Sequence, residues 1–205
     1  MAMGKDGKER NLILAIDTSA GTTAAVFDGE TMASFISYED RFGHAENIGF
    51  AIKRALDEAG IRAADLTMVA VGRGPAPYTG LRVGIAAGVS LAVALGIPAV
   101  GVITLIAVAR KHPQGKVLVV ADAKRKEIFV AGFDAGQQVI PPSVSTSEQL
   151  VDFADFQQVD GTCDASLIGH YTTWALAAGM DLSDTSALYL RSPDVSPSKG
   201  KRVSG

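Results

Sequence analysis

"AIDTSAGTTAAVFDGE", Ala15 to Glu30, is the stretch on which the fold turns. An aspartate closes an apolar run, Thr18 to Gly21 make a turn, and Thr22 opens a second apolar run that ends at Asp28-Gly29. Two apolar runs joined in this way read as a β-hairpin, and Asp-Gly starts another. The first turn also gathers a carboxylate, hydroxyls and a glycine, which is how a loop holds phosphate or its Mg²⁺ through backbone N–H and side-chain oxygen. Asp17, Thr18, Ser19, Gly21 and Thr22 are therefore a candidate phosphate loop.

Upstream, "NLILAID" is apolar throughout, as in a strand buried on both faces. Downstream, "ETMASFISY" completes a three-stranded meander. In "HAENIGFAIKRALDEAGI" the residues Ile48, Ala51, Ile52, Ala55, Leu56 and Ala59 fall on one helical face, closed by Gly60. "LTMVAVGRG" is a fourth strand, "TGLRVGIAAGVSLAVAL" a helix ended by Gly96, "IPAVGV" a fifth strand, and "TLIAVARKH" a helix stopped by Pro113. A meander feeding strand–helix crossovers gives a mixed sheet flanked by helices. The second half starts again with "GKVLVVADA" and "KEIFVAGFD". A helix is expected at "SEQLVDFADF", a strand at "SLIGH" and a helix through "TTWALAAGM", a degraded copy of the first unit. The expected organisation is residues 11–112, residues 113–192, and a disordered basic tail over 193–205.

Composition narrows the function. At 205 residues, 47% hydrophobic and 20% charged, this is an ordinary globular chain. A net charge of −3 argues against a protein that grips nucleic acid unaided, and little affinity for tRNA alone is expected. One cysteine, Cys163, rules out an internal disulfide and fits a reducing compartment. The start "MAMGKDGKER" is too polar for a signal peptide, and is either native or an added leader. The long apolar run "AAGVSLAVALGIPAVGVITLIAVA" is broken by Pro98 and glycines, so it reads as helix, strand and helix rather than a membrane span. A cytoplasmic protein is expected.

Several stretches carry a family resemblance: "LAIDTSAGTTAAVFDGE", "VGRGPAPYTGLRVGIAAGVSLAVALGIPAVGV", "ADAKRKEIFVAGF" and "LYLRSPDV". Together, from Asn11 to about Val195, they resemble the TsaB (YeaZ) family, with Ala76-Pro77-Tyr78 standing where Gly-Ser-Phe is usual. The resemblance implies an α/β fold of the actin-like ATPase, sugar kinase and Hsp70 superfamily (ribonuclease H-like), built as two tandem βββαβαβα-type subdomains. It implies a dimerisation partner for a larger catalytic relative, TsaD. With a small ATPase, TsaE, that pair transfers threonylcarbamoyl to the adenosine beside the anticodon. The smaller protein is not expected to perform the chemistry.

The residues agree with a non-catalytic role. A working superfamily member faces the first hairpin with a second, but here the second is "ADAKRKEIF", with Asp122 followed by Lys124, Arg125 and Lys126. The Gly-Gly turn that seats adenosine has no counterpart, since no two of the 22 glycines are adjacent. A strand–turn–strand kept for folding is the preferred reading of Asp17. No cofactor is expected to bind tightly, with ATP and Mg²⁺ admitted only in a complex. Catalytic relatives carry histidines four apart on a helix; here His44 is followed at that spacing by Ile48, so no metal site is expected. No Gly-x-Ser-x-Gly elbow and no base beside Cys163 support a hydrolase. The alternatives kept open are a small ATPase or kinase and a metallopeptidase-like (glycoprotease) hydrolase.

Gly80, Gly84, Gly88, Ala92 and Gly96 recur at every fourth position of one helix. Each glycine costs that helix about 1 kcal/mol against alanine, so close packing must compensate. The row could pack on this protein's own sheet or on a partner, and sequence alone leaves the two even. The resemblance tips the choice to the partner, with Arg82 at the edge of the contact and His44, Ile48, Ile52 and Leu56 of the preceding helix beside it. A TsaD-type subunit and a TsaE-type ATPase are the expected partners. Self-association stays open, tRNA is met only indirectly, and no membrane is involved.

Overall fold

The structure is a computed structural model that describes residues 10–40, 43–76 and 78–191. The expected disordered tail and nearly all of the polar leader lie outside the described residues. The first sheet is the predicted one. Strands β1 (Leu12–Asp17), β2 (Thr22–Asp28) and β3 (Thr31–Tyr38) form an antiparallel meander, turning at Gly29 with φ of 60°. Helix α1 (His44–Ala59) follows and closes at Gly60 in the left-handed region. β4 (Met68–Gly72), α2 (Tyr78–Leu95), β5 (Ala99–Val102) and α3 (Thr104–Ala109) complete the unit. β4 lies parallel to β1 and β5 parallel to β4, giving the order β3-β2-β1-β4-β5.

Period two explains the unbroken apolar run of β1, which is central and covered on both faces. Leu12, Leu14 and Ile16 point with Ala24 and Val26 toward α1 and α2. Ile13 and Ala15 point with Ala25 and Phe27 to the opposite face.

The second half departs from expectation in three places. β6 (Lys116–Lys124) and β7 (Glu127–Asp134) are the expected hairpin, but β8 (Gln137–Thr146) adds a third meander strand. Its Pro141 and Pro142 hid it, and β8 accommodates them as the edge strand of the order β8-β7-β6-β9. The helix expected at "SEQLVDFADF" is a 3-10 segment over Glu148–Phe153, followed by a short strand β9 (Gln157–Asp160) parallel to β6. The strand expected at "SLIGH" is helix, the first turns of α4 (Ala165–Ala177). Asp164 caps it by accepting from the N–H groups of Ser166 and Leu167, and Ile168, Tyr171, Thr172 and Ala175 then fall on one buried face. α3 stops at Ala109, short of Pro113.

α4 packs on the first sheet as well as on its own half. Gly169 lies against the ring of Phe27, where a Cβ would overlap it, and the His170 ring meets Phe27 edge-on at 4.9 Å. The core on that face accordingly mixes Ile13, Ala15, Phe27 and Ala70 with Val117, Val119, Ala131, Ile168 and Ala175. From Met180 onward the chain is a strap without regular structure. The N–H of Gly101 donates to the Leu182 carbonyl and that of Leu188 to the Arg73 carbonyl. Arg73 pairs with Asp184 at 2.5 Å, Arg82 donates to the Tyr189 hydroxyl at 2.7 Å, and Arg191 pairs with Glu127 at 2.9 Å.

Candidate phosphate hairpin and partner surface

Asp17 ends β1 and is 1% exposed. Its Oδ1 accepts from the Ser19 backbone N–H at 2.9 Å and from the Ser19 hydroxyl at 2.5 Å. Its Oδ2 has no hydrogen-bond partner and faces the core against Gly72, where a Cβ would overlap it, with Ile168 alongside. Burial pushes the carboxyl up to about 7; the Ser19 bonds oppose the shift and the Asp164 charge adds to it. Thr18 is buried and donates its hydroxyl to the Gly80 carbonyl at 2.8 Å. Thr22 bonds His44 Nδ1 through its hydroxyl at 2.9 Å. A Cβ on Gly21 would come within 2.9 Å of the Tyr38 carbonyl, so that glycine lets the end of β3 approach.

The turn is thus a junction. Thr18 fixes α2, Thr22 meets the first residue of α1, and Thr23 reaches α4 by accepting from the Ala165 N–H at 2.9 Å. Sequence reading missed Thr23, Gly72, Asp164 and Ala165, and "AVGRG" held the one legible signal, a glycine at a strand end facing the carboxylate. A Mg-nucleotide does not fit this arrangement. The carboxylate oxygen that would need a cation faces Gly72 and Ile168 in the core, and the Thr18 hydroxyl is committed to Gly80. The facing hairpin does not make up the difference: Lys124 binds Asp122 through its backbone N–H at 2.8 Å and its Nζ at 2.7 Å. Among the described residues no group of three or more His, Cys, Asp or Glu could hold a metal ion. Cys163 is buried, and burial raises its thiol well above the ordinary range, the reverse of an activated nucleophile.

The glycine row faces inward, which corrects part of the expected partner surface. A Cβ on Gly84 would overlap Thr18, one on Gly88 would overlap Val71, and one on Gly80 would meet His44 Nε2 at 2.7 Å. These glycines let α2 settle on β1, β4 and the start of α1, so Gly80, Gly84 and Gly88 are internal packing. Ile48 and Leu56 are also buried, in the core between α1 and the sheet; Ile52 packs at its margin, and His44 is held by Thr22. Of the predicted contact residues only Arg82 is exposed, and it leans over the Tyr189 ring at 5.5 Å. The outward faces of the same two helices carry residues the sequence reading passed over: Phe50, 64% exposed, and Val93, 75% exposed. Ala86, Ser90 and Ala94 lie exposed on the same helix as Val93. Two large apolar side chains open to water on neighbouring helices mark the face that lacks a cover.

Comparison with known proteins fits this geometry. The family model described as "TsaD: tRNA N6-adenosine threonylcarbamoyltransferase" matches residues 41–177. Escherichia coli "tRNA threonylcarbamoyladenosine biosynthesis protein TsaB" is 31% identical over 192 residues, covering 89% of this chain and 80% of that protein. The chain belongs to the TsaB (YeaZ) family. An uncharacterised protein of Mycobacterium tuberculosis is 33% identical over 201 residues, covering 90% of this chain and 94% of its own length. An uncharacterised Mycobacterium leprae protein is 36% identical over 206 residues, and there the chain spans only 56% of the relative. YeaZ from Pseudomonas aeruginosa superposes with a TM-score of 0.69 at 21% identity, covering 88% of this chain and all of that one, which shows the shared fold. Among the described residues no helix of this TsaB-family chain is long and apolar enough to cross a membrane.

Proposed function

We propose that this protein is a non-catalytic scaffold subunit in the formation of threonylcarbamoyladenosine on tRNA, and that it works by docking a TsaD-type catalytic protein in the cytoplasm. Family membership supports the pathway, through the name its Escherichia coli relative carries. One observation supports the division of labour. The polar groups of the Asp17–Thr22 turn are spent on holding α1, α2 and α4, while the outer faces of α1 and α2 leave Phe50 and Val93 uncovered. The chemistry and the nucleotide belong to the partner. A TsaE-type ATPase joins the assembled pair, and tRNA is met through the complex rather than by this chain alone.

The test is co-purification with the TsaD-type protein of the same host, for wild type and for Phe50→Asp and Val93→Glu. Both variants should melt within about 0.5 kcal/mol of wild type, since the substituted side chains are exposed. Both should lose at least tenfold in association. Undiminished association would refute the assignment of this face. A self-association of the isolated chain that the same variants abolish would show the face held by a second copy in the partner's absence. Turnover of Mg-ATP by the isolated protein that is lost in Asp17→Ala would overturn the non-catalytic reading.

A further inference from the structure

The hairpin between β6 and β7 is built against the backbone preferences of its residues. Lys124, Arg125 and Lys126 have φ of 67°, 56° and 66°, three successive side-chain-bearing residues in the left-handed region. Tight hairpin turns reach that region through glycine or asparagine, because a Cβ there crowds the carbonyl oxygen. This chain follows the rule elsewhere. Gly29, Gly60, Gly96, Gly115, Gly136 and Gly179 all take positive φ, and in the described residues the other non-glycine exception is Ala135, next to Gly136. Only this turn fills each left-handed position with a cation. Sequence reading marked the Lys-Arg-Lys run as a turn; the conformation shows that charge is kept where a glycine would be less strained.

The surroundings leave that charge facing outward. All three residues are exposed. Lys124 pairs with Asp122 at 2.7 Å, and Arg191 pairs with Glu127 at 2.9 Å while donating to the Ala123 carbonyl at 2.7 Å. Four cations therefore stand against two carboxylates within one hairpin and the strap end tied to it, on a chain whose net charge is −3. A short, convex cationic tip on a twisted hairpin cannot enclose a small phosphate with backbone amides, but it can lie against a row of phosphates.

We propose that the Lys124–Lys126 turn contacts the phosphate backbone of tRNA held by the assembled complex. The inference rests on the function proposed above. Three charges are too few to hold tRNA alone at physiological salt, so the turn orients an RNA that the partner already grips.

The experiment measures binding of an unmodified tRNA transcript by this protein together with the TsaD-type protein of its host, across a salt series. Lys124→Gln/Arg125→Gln/Lys126→Gln should weaken binding about tenfold at low salt. It should also flatten the slope of log K against log salt by about 2, as expected when up to three phosphate contacts are lost at ~0.7–0.9 each. Arg125→Asn/Lys126→Gly removes two charges and relieves the turn, so it should bind more weakly yet melt higher, which separates charge from strain. Unchanged affinity and slope in both variants would overturn the inference. So would inorganic triphosphate binding that the variants lose while tRNA binding persists, which would assign the turn to a small phosphate ligand. Pairing of the two proteins is read in parallel. If wild type fails to pair, the proposed function fails, and the chain alone with the same transcript at low salt decides the inference by the same comparison.

Discussion

Asp17 shows how one residue type serves two ends in this superfamily of folds. A carboxylate at the end of β1 reads as a phosphate-loop acid, yet here burial holds it near neutrality with Oδ2 unpaired beside Gly72. The folded carboxyl titrates at about 7, above the roughly 3.9 of an unfolded aspartate, so the folded state binds the extra proton. Stability is therefore greatest below about pH 4 as far as this group is concerned, and it falls as pH rises to 7. The loss is on the order of 4 kcal/mol, at about 1.4 kcal/mol for each tenfold difference in proton affinity between the folded and unfolded chain. Asp17→Asn, which cannot ionise, should melt above wild type at pH 8 and close to it at pH 5, measured by thermal denaturation across that range. A profile parallel to wild type would show that Asp17 does not titrate in the fold. The α2 glycines belong to the same scale. Gly88→Leu pushes into Val71 and should cost at least about 1–3 kcal/mol of stability, with the folded remainder keeping its affinity for the partner. Sequence placed these glycines on one stripe correctly but could not say which way the stripe faced, because spacing carries no information about what lies opposite.

At the scale of elements, the first unit was legible and the second was not, for a reason visible in its strands. β1, α1 and α2 carry their periodicity in apolar residues, and their ends are marked by Asp-Gly, Gly60 and Gly96. β8 and β9 are exposed edge strands rich in glutamine, serine and proline, so neither burial nor propensity announces them; pairing to β7 and β6 alone makes them strands. The strap from Met180 to Arg191 was equally hidden, since it forms no element and its value lies in contacts far along the chain. It holds the loop after β4 through Arg73–Asp184 and passes so close to Gly101 that a Cβ there would overlap the Asp184 carbonyl. Gly101→Ala should therefore displace the strap without disturbing β5's own pairing. Limited proteolysis is the measurement: cleavage between Met180 and Arg191 should accelerate, while hydrogen exchange in β1 and β4 stays slow. Equal protection of the strap in both proteins would mean that it is held from elsewhere.

Across the whole molecule, α4 makes the two halves interdependent. It is read from the sequence with the second half but lies on Ile13, Ala15 and Phe27 of the first sheet, anchored at its start by Thr23. A fragment of residues 11–112 keeps every strand and helix of the first unit while losing that cover, so it should aggregate or remain molten, judged by dye binding and loss of a cooperative melt. Adding α4 as a separate peptide should restore cooperativity; a cooperative melt of the fragment alone would show that the first unit is self-sufficient. The same arrangement has a consequence during synthesis. Translation proceeds at about 5–20 residues per second, so β1 to α3 leave the ribosome several seconds before α4 does. For that interval the nascent chain presents a finished sheet with one bare oily side, which makes the growing protein a client for ribosome-associated chaperones until its last helix arrives.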